Sequence, residues 1–457
     1  MIDVVIIGGG IAGLTAALDL QRAGREVLLF EAESDLGGNI RTLTEGEFRM
    51  ERGPHSFMGS AEHVWRLIDD LGIGDQVEEA APVAANRYIF RRGALHPLPL
   101  SPWTFLGSGL LSPGAKLRLA MEPFIRASGT PSDTAWDFFT RRFGKEATSW
   151  IMSPFISGIY AGDIHALGAR AAFPKFWRFE QESGSMIRGA MRYMKAKKQR
   201  LAAEGKELRK GLFTIYRGLG GLTATVAMRL ERRILINTPV QVISPQPDCV
   251  RVAWAGGSVD SRAVVLAAPP PRAAAMLSKA APAASAALKE IPLVPVVVVH
   301  WSPQNEEAGP WPEGFGALIP HQEGLRLLGS LFPSQLFEGR APPGRRLFTS
   351  FYGGALDPEA TTLSDEELTE QVRKDHGTIF GFDVGDIDAV KVVRYEHAIP
   401  QLMPGHLEAV ARLGEAVRSI PGLFLAGNYL TGVGIENAAE SGYTAAEETM
   451  RWLEGNP

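Results

Sequence analysis

The run Asp3-Val4-Val5-Ile6-Ile7 is apolar enough for a buried strand and passes directly into Gly8-Gly9-Gly10-Ile11-Ala12-Gly13, a G-x-G-x-x-G turn at the head of the chain. Few short patterns constrain a fold as tightly. Gly8 permits the tight turn, Gly10 lets the backbone approach a pyrophosphate, and Gly13 lets the next helix pack close to the sheet with its free N–H groups aimed at the anion. Ala12 to Leu20 reads as that helix, and Glu26 to Glu31 as a second strand. It ends in a carboxylate about 20 residues past the glycines, where a ribose hydroxyl pair would sit. An acid there repels a 2′-phosphate, which disfavours a ligand of the NADP type. Glycine turns also arise for packing reasons alone; strand, turn, helix, strand and acid in this order point to a dinucleotide cradle.

The remaining composition sets bounds. With 457 residues the chain can bury a large core and is expected to divide into two or three domains. A net charge of −4 with 21% charged residues argues against a nucleic-acid partner. The single cysteine, Cys249, excludes an internal disulfide, and its setting before Val250-Arg251-Val252 reads as a strand interior. The N-terminus carries Asp3 and no basic region, so a secretory leader is not expected. No run reaches the ~18 apolar residues of a membrane span. The longest candidate, Ile291 to Trp301, contains Pro292 and Pro295 and reads as a buried strand.

Along the chain, 61–71 carries helical periodicity that Gly72 terminates, and 112–205 reads as mainly helical. Strands return at Ile234–Ile236, Val240–Ile243, Val250–Val252 and Ala263–Leu266, the last stopped by Pro269-Pro270-Pro271. Gly422 to Asn428 is a further buried strand entering a glycine loop, with a helix from about Ala438. The nucleotide fold is therefore interrupted, and its closing strand comes from the C-terminal end.

Beyond Glu31 comes Leu36-Gly37-Gly38-Asn39-Ile40-Arg41, a second glycine pair followed by a base. A G-G-x-x-R loop in this place resembles that of the flavin amine oxidase class, where it runs along the pyrophosphate and the flavin, with Arg41 matching the phosphate-neutralising arginine. The next run, Glu51-Arg52-Gly53-Pro54-His55-Ser56-Phe57, is similar to the protoporphyrinogen oxidase family and its bacterial coproporphyrinogen-oxidising relatives. The likeness continues through Asn86–Phe90, Gly93–Pro99, Ser157–Asp163, Ala172–Pro174, Gly314–Pro320 and Ile399–Gln401 to Gly427–Gly434 and Glu440–Gly442. It spans residues 3 to about 446. Two departures, Glu436-Asn437-Ala438-Ala439 and His55, bear on the choice of substrate rather than on holding the cofactor.

The resemblance implies an α/β fold in which a Rossmann-like FAD-binding domain is assembled from 1–85, 210–285 and 394–457. An α+β substrate domain would come from 86–96 and 286–393, and a mainly helical, membrane-facing subdomain from 97–209. FAD contacts are expected from Gly8, Gly10, Ile11, Ala12, Gly13, Glu31, Gly37, Gly38, Arg41, Gly53, Pro54, His55, Ser56, Val240, Gly427, Asn428, Gly434 and Ile435. Substrate contacts are expected from Arg87, Gly162, Phe315, Leu318 and His55. Plain core packing accounts equally well for Phe315 and Leu318, and a solvated charge for Arg87. Arg87, Ile89 and Arg91 share one face of a strand; Arg87 is preferred to Arg91, and Arg52 is a weaker candidate.

The implied reaction is oxidation of a porphyrinogen, protoporphyrinogen IX or coproporphyrinogen III, by repeated hydride transfer to flavin, with dioxygen as the final acceptor and peroxide released. Hydride loss from a bridging carbon leaves a cation delocalised over two pyrroles. No strong protein base is needed, and no metal or catalytic side chain is expected among the nine histidines. The apolar segment 97–111, with Leu98, Leu100, Trp103, Phe105, Leu106, Leu110 and Leu111, is expected to make a peripheral membrane contact at the inner face of the cell membrane; burial or a homodimer contact is the alternative. The runner-up readings are an amine oxidase or carotenoid desaturase, and a flavin-less carrier of a lipid or prenyl group on the same frame.

Overall fold

A computed structural model describes residues 1–99, 102–205, 209–230 and 233–456, except for the side chains of Pro102, Trp103 and Leu106. The first sheet has seven strands. Ile2–Ile7 lies between Val27–Phe30 and Gly257–Leu266, both parallel to it, and Leu423–Leu425 adds in parallel to Gly257–Leu266. Val4, Val5, Ile6 and the segment Ala263–Leu266 are almost wholly buried because helices cover both faces, which is why these strands read as unbroken apolar runs. One face packs on the helices Ile11–Arg22, Glu62–Leu71, Gly220–Arg229 and Ile435–Gly455, and the other on Pro270–Leu277, Pro282–Lys289 and His406–Arg418. The parallel strands direct the loops after Ile7, Leu266 and Leu425 to the same edge.

The second sheet runs in the order Ile387–Pro400, Leu293–Pro303, Phe348–Gly353, Gly329–Leu331, Gly316–Leu318, Arg87–Arg91, Ala94–Pro97. Its back is buried against the helix Asp365–Phe380. Its front carries Val294, Val296, Val298, Phe351, Val393 and Tyr395. The helical part from Pro113 to Ala203 has its own core around Phe138, Phe139, Tyr160 and Phe173.

Four expectations are corrected. Ile387–Pro400 is one continuous strand, so 394–400 belong to the second sheet and not to the cofactor-binding part. Cys249 precedes the strand Val250–Trp254 in a turn, its carbonyl accepting from Gln246 N–H at 2.8 Å. The last helix begins at Ile435, because the extended Gly434 already ends the loop. Leu110 and Leu111 are buried, with Arg91 donating to the Leu110 carbonyl, and so leave the expected membrane patch. Leu100 and the side chains of Trp103 and Leu106 lie outside the described residues.

Candidate active site

At the first glycine turn, Gly8 has φ +111° and an added Cβ would come within 2.6 Å of the Ala267 carbonyl oxygen, so only glycine fits. A Cβ on Gly13 would strike the Gly8 carbonyl. At Gly10 it would meet nothing within 4 Å, so the turn presents open space in front of the helix Ile11–Arg22. Ile11 and Ala12 open that helix, whose first N–H groups have no side-chain cap. Glu31 is buried and oriented by two backbone donors, Gly9 N–H at 2.6 Å and Glu33 N–H at 2.8 Å. Thr238 N–H donates to the Glu31 carbonyl at 2.8 Å, which brings Val240 to the same end of the cleft.

The second glycine loop docks on the first through Gly37 N–H and the Gly9 carbonyl, 2.7 Å. Arg41 folds back onto it, Nε donating to the Gly38 carbonyl at 3.1 Å. The C-terminal signature closes the same cleft: Gly427 N–H donates to Ser441 Oγ at 2.9 Å, and Gly442 rests on the Ala12 carbonyl so that the two helices pack in close contact. Asn428 lies in that loop, and Gly434 and Ile435 present a second uncapped helix N-terminus. Two helix N-termini and three glycine loops thus come together at one edge of the first sheet, as an anionic dinucleotide requires.

The hairpin Thr42–Glu45/Phe48–Glu51 leads to Gly53-Pro54-His55-Ser56, which lies over the front of the second sheet. The His55 ring centre is 6.3 Å from that of His300 and 6.2 Å from that of Phe351. Burial, reinforced by His300 and Arg340, pushes the pKa of His55 well below the usual histidine value; burial pushes His300 down to about 3, so both are neutral imidazoles near neutral pH. Beneath the loop, Glu51 and Arg340 form a fully buried ion pair at 2.5 Å, with Leu219 N–H at 2.8 Å and Thr42 Oγ1 at 2.9 Å completing the carboxylate. Burial nevertheless raises the Glu51 pKa, against the pull of Arg340.

The front face also gathers the expected substrate residues. Arg87 pairs in register with Gly316, and Ile89 with Leu318. The Arg87 guanidinium lies 5.0 Å from the Phe315 ring centre, half-buried, with no hydrogen bond or ion pair to any described residue; burial lowers its pKa. Arg91 differs: it is held by Glu146 at 3.2 Å and by the Trp150 ring. Leu318 meets the helix Ser153–Tyr160, where a Cβ on Gly158 would fall 2.5 Å from Leu318 Cδ2. Gly162 follows that helix and abuts Gln401, which donates to the Tyr160 carbonyl at 2.9 Å. Sequence reasoning missed Arg340, His300, Phe351 and Tyr395. They come from segments distant in sequence, and neither motif nor spacing marks them.

Residues 11–450 match the family described as flavin containing amine oxidoreductase. A mitochondrial protoporphyrinogen oxidase of Nicotiana tabacum is 30% identical over 99% of this chain and 95% of its own length. A coproporphyrinogen III oxidase of Bacillus subtilis is 30% identical over 98% of each. The chain belongs to the flavin containing amine oxidoreductase family, among the protoporphyrinogen and coproporphyrinogen III oxidases. Family membership makes it an oxidoreductase, and its cofactor is FAD. The cradle fits this group: Gly10 leaves the space, the buried Glu31 would take the ribose hydroxyls, and the uncapped helix N-termini, with Arg41 shared with Asp35 at 3.3 Å, would face the phosphates. A solved structure from Exiguobacterium sp. 255-15, assigned as a protoporphyrinogen oxidase, superposes with a TM-score of 0.81 at 25% identity over 99% of both chains. A cyclohexylamine oxidase from Brevibacterium oxydans, 18% identical with a TM-score of 0.72 over 99% of each chain, shares the fold.

Proposed function

We propose that this protein oxidises a porphyrinogen, protoporphyrinogen IX or coproporphyrinogen III, to the porphyrin, with dioxygen as terminal acceptor. One observation carries the reading. Arg87 is a half-buried cation without an acid partner among the described residues, set at the rim of an apolar sheet face that the cofactor loop overhangs. An apolar, carboxylate-fringed ring suits such a surface. Bound FAD supplies the hydride acceptor. The chain's residues place and shield the substrate: the Val, Leu and Phe side chains of the front face exclude water, and Arg87 holds a carboxylate at the rim.

The test is aerobic incubation of the yellow, FAD-loaded protein with each porphyrinogen, following porphyrin fluorescence and peroxide. Absence of porphyrin above autoxidation, with flavin bound, overturns the reading. Arg87→Leu is expected to raise KM about tenfold or more, as loss of a charged hydrogen bond worth roughly 1.5–3 kcal/mol would do.

We also infer that a peripheral membrane contact involves the helical part beyond Leu110 and Leu111. Leu117, Met121, Phe124, Ile187, Met191 and Met194 are exposed, beside exposed Arg188, Arg192, Lys195 and Lys198. Glu122 joins their two segments by accepting from Met186 N–H at 2.8 Å. An apolar stripe with basic flanks suits an anionic bilayer surface. Among the described residues no helix is long and apolar enough to cross a membrane. Failure of the pure protein to sediment with anionic vesicles would remove this contact.

A further inference from the structure

We propose that Arg52 is a second carboxylate anchor, set across the sheet face from Arg87, and that the two together select a porphyrinogen bearing carboxylates on opposite edges. This rests on the porphyrinogen reading above and names which of its two substrates the site takes. Coproporphyrinogen III carries a propionate on every pyrrole. Protoporphyrinogen IX carries two, on neighbouring pyrroles, and offers vinyl groups on the far edge.

Among the described residues, the half-buried arginines Arg25, Arg52 and Arg87 have no acid partner, although the Arg52 side chain also reaches Tyr395. Arg25 precedes the strand Val27–Phe30, at the opposite end from the glycine loops. Arg52 stands where the cofactor loop meets the second sheet, and Arg87 lies toward that sheet's other edge. Arg52 N–H donates to the Arg41 carbonyl at 2.8 Å, one step beyond the register pair Thr42 and Glu51. Thr42 and Glu51 bond to each other on one face of the hairpin, so Arg41 and Arg52 project from the other, the cofactor side. The Arg52 carbonyl accepts from Tyr395 O–H at 2.8 Å, and its guanidinium lies 5.5 Å from the Tyr395 ring centre. Tyr395 is in register with Val296 and so belongs to the front face.

From the strand of Tyr395 to that of Arg87 is five strand steps, about 24 Å at the usual ~4.8 Å spacing, shortened by the reach of two arginine side chains. Between them lies an apolar floor of Val296, Val298, Phe351 and Leu318. A ring anchored only at Arg87 leaves the Arg52 cation without an acid partner. A ring with carboxylates on both edges satisfies both.

The experiment measures kcat/KM for coproporphyrinogen III and protoporphyrinogen IX side by side, with FAD content, in the FAD-loaded protein and in Arg52→Gln and Arg52→Lys. The unmodified protein is expected to favour coproporphyrinogen III at least tenfold, Arg52→Gln to bring the ratio close to one, and Arg52→Lys to restore part of it. An unchanged ratio in Arg52→Gln, or a preference for protoporphyrinogen IX in the unmodified protein, overturns the proposal while leaving porphyrinogen oxidation intact. Loss of FAD in Arg52→Gln with the ratio unaltered assigns Arg52 to the cofactor's phosphates and overturns it too. Should the variants fail to fold, inhibition of the unmodified protein by coproporphyrin III and protoporphyrin IX decides: equal inhibition overturns it. Oxidation of neither porphyrinogen by the FAD-loaded protein fails the parent reading instead.

Discussion

At the cofactor cradle, Gly9 N–H holds Glu31 at 2.6 Å and Gly37 N–H holds Gly9 at 2.7 Å. At the front of the second sheet, Arg87 lies on Phe315, Leu318 on the helix Ser153–Tyr160, and His55 beside Phe351 and His300. The cradle is built from backbone groups within short contiguous motifs, while the sheet face is built from side chains that meet only through strand order. A motif-encoded region tolerates few substitutions and announces itself. A region encoded by register can exchange side chains more freely.

The sharpest way to break this comparison is Gly13→Val. A Cβ there strikes the Gly8 carbonyl, so FAD content of the purified protein is expected to fall roughly tenfold or more. Retention of flavin would mean that the cradle is as plastic as the sheet. Next is Arg340→Leu, which strands Glu51 in the seam between the two regions. A buried charge left without its partner costs about 3–5 kcal/mol, to be read from urea unfolding.

His300→Gln probes the sheet side through pH. The folded protein keeps His300 neutral down to about pH 3, whereas the unfolded chain protonates it below ~6.5. Its contribution is therefore complete above ~6.5 and is lost as pH falls toward 3, at about 1.4 kcal/mol per unit. Urea unfolding at about pH 7.5 and about pH 5.5 should show Arg, Lys and carboxylate effects common to both proteins, with His300→Gln losing about 1.4 kcal/mol less between the two.

Glu436→Ala is the mildest. The Glu436 carboxylate caps the helix Glu62–Leu71, accepting from His63 N–H at 3.0 Å and Val64 N–H at 3.1 Å. A cost of about 1 kcal/mol with flavin retained is expected, measured as a lowered thermal midpoint. This also gives the departure at 436 a local structural role.

By itself the sequence determined the cradle. Glycine at 8, 37 and 38 reports a positive φ and glycine at 13 a close helix–strand approach, both of which favour that residue, whereas Gly10 leaves open space and the acid at 31 is held by backbone N–H groups. The buried strands were equally legible, since helices on both faces demand unbroken apolar runs. Tertiary structure alone decided that Arg340 neutralises Glu51, that Arg91 is consumed by Glu146 while Arg87 and Arg52 have no acid partner among the described residues, and that Leu110 and Leu111 turn inward. An arginine looks the same in a sequence whether or not an acid waits for it. Whether one does depends on which strands become neighbours, and that is a property of the whole fold.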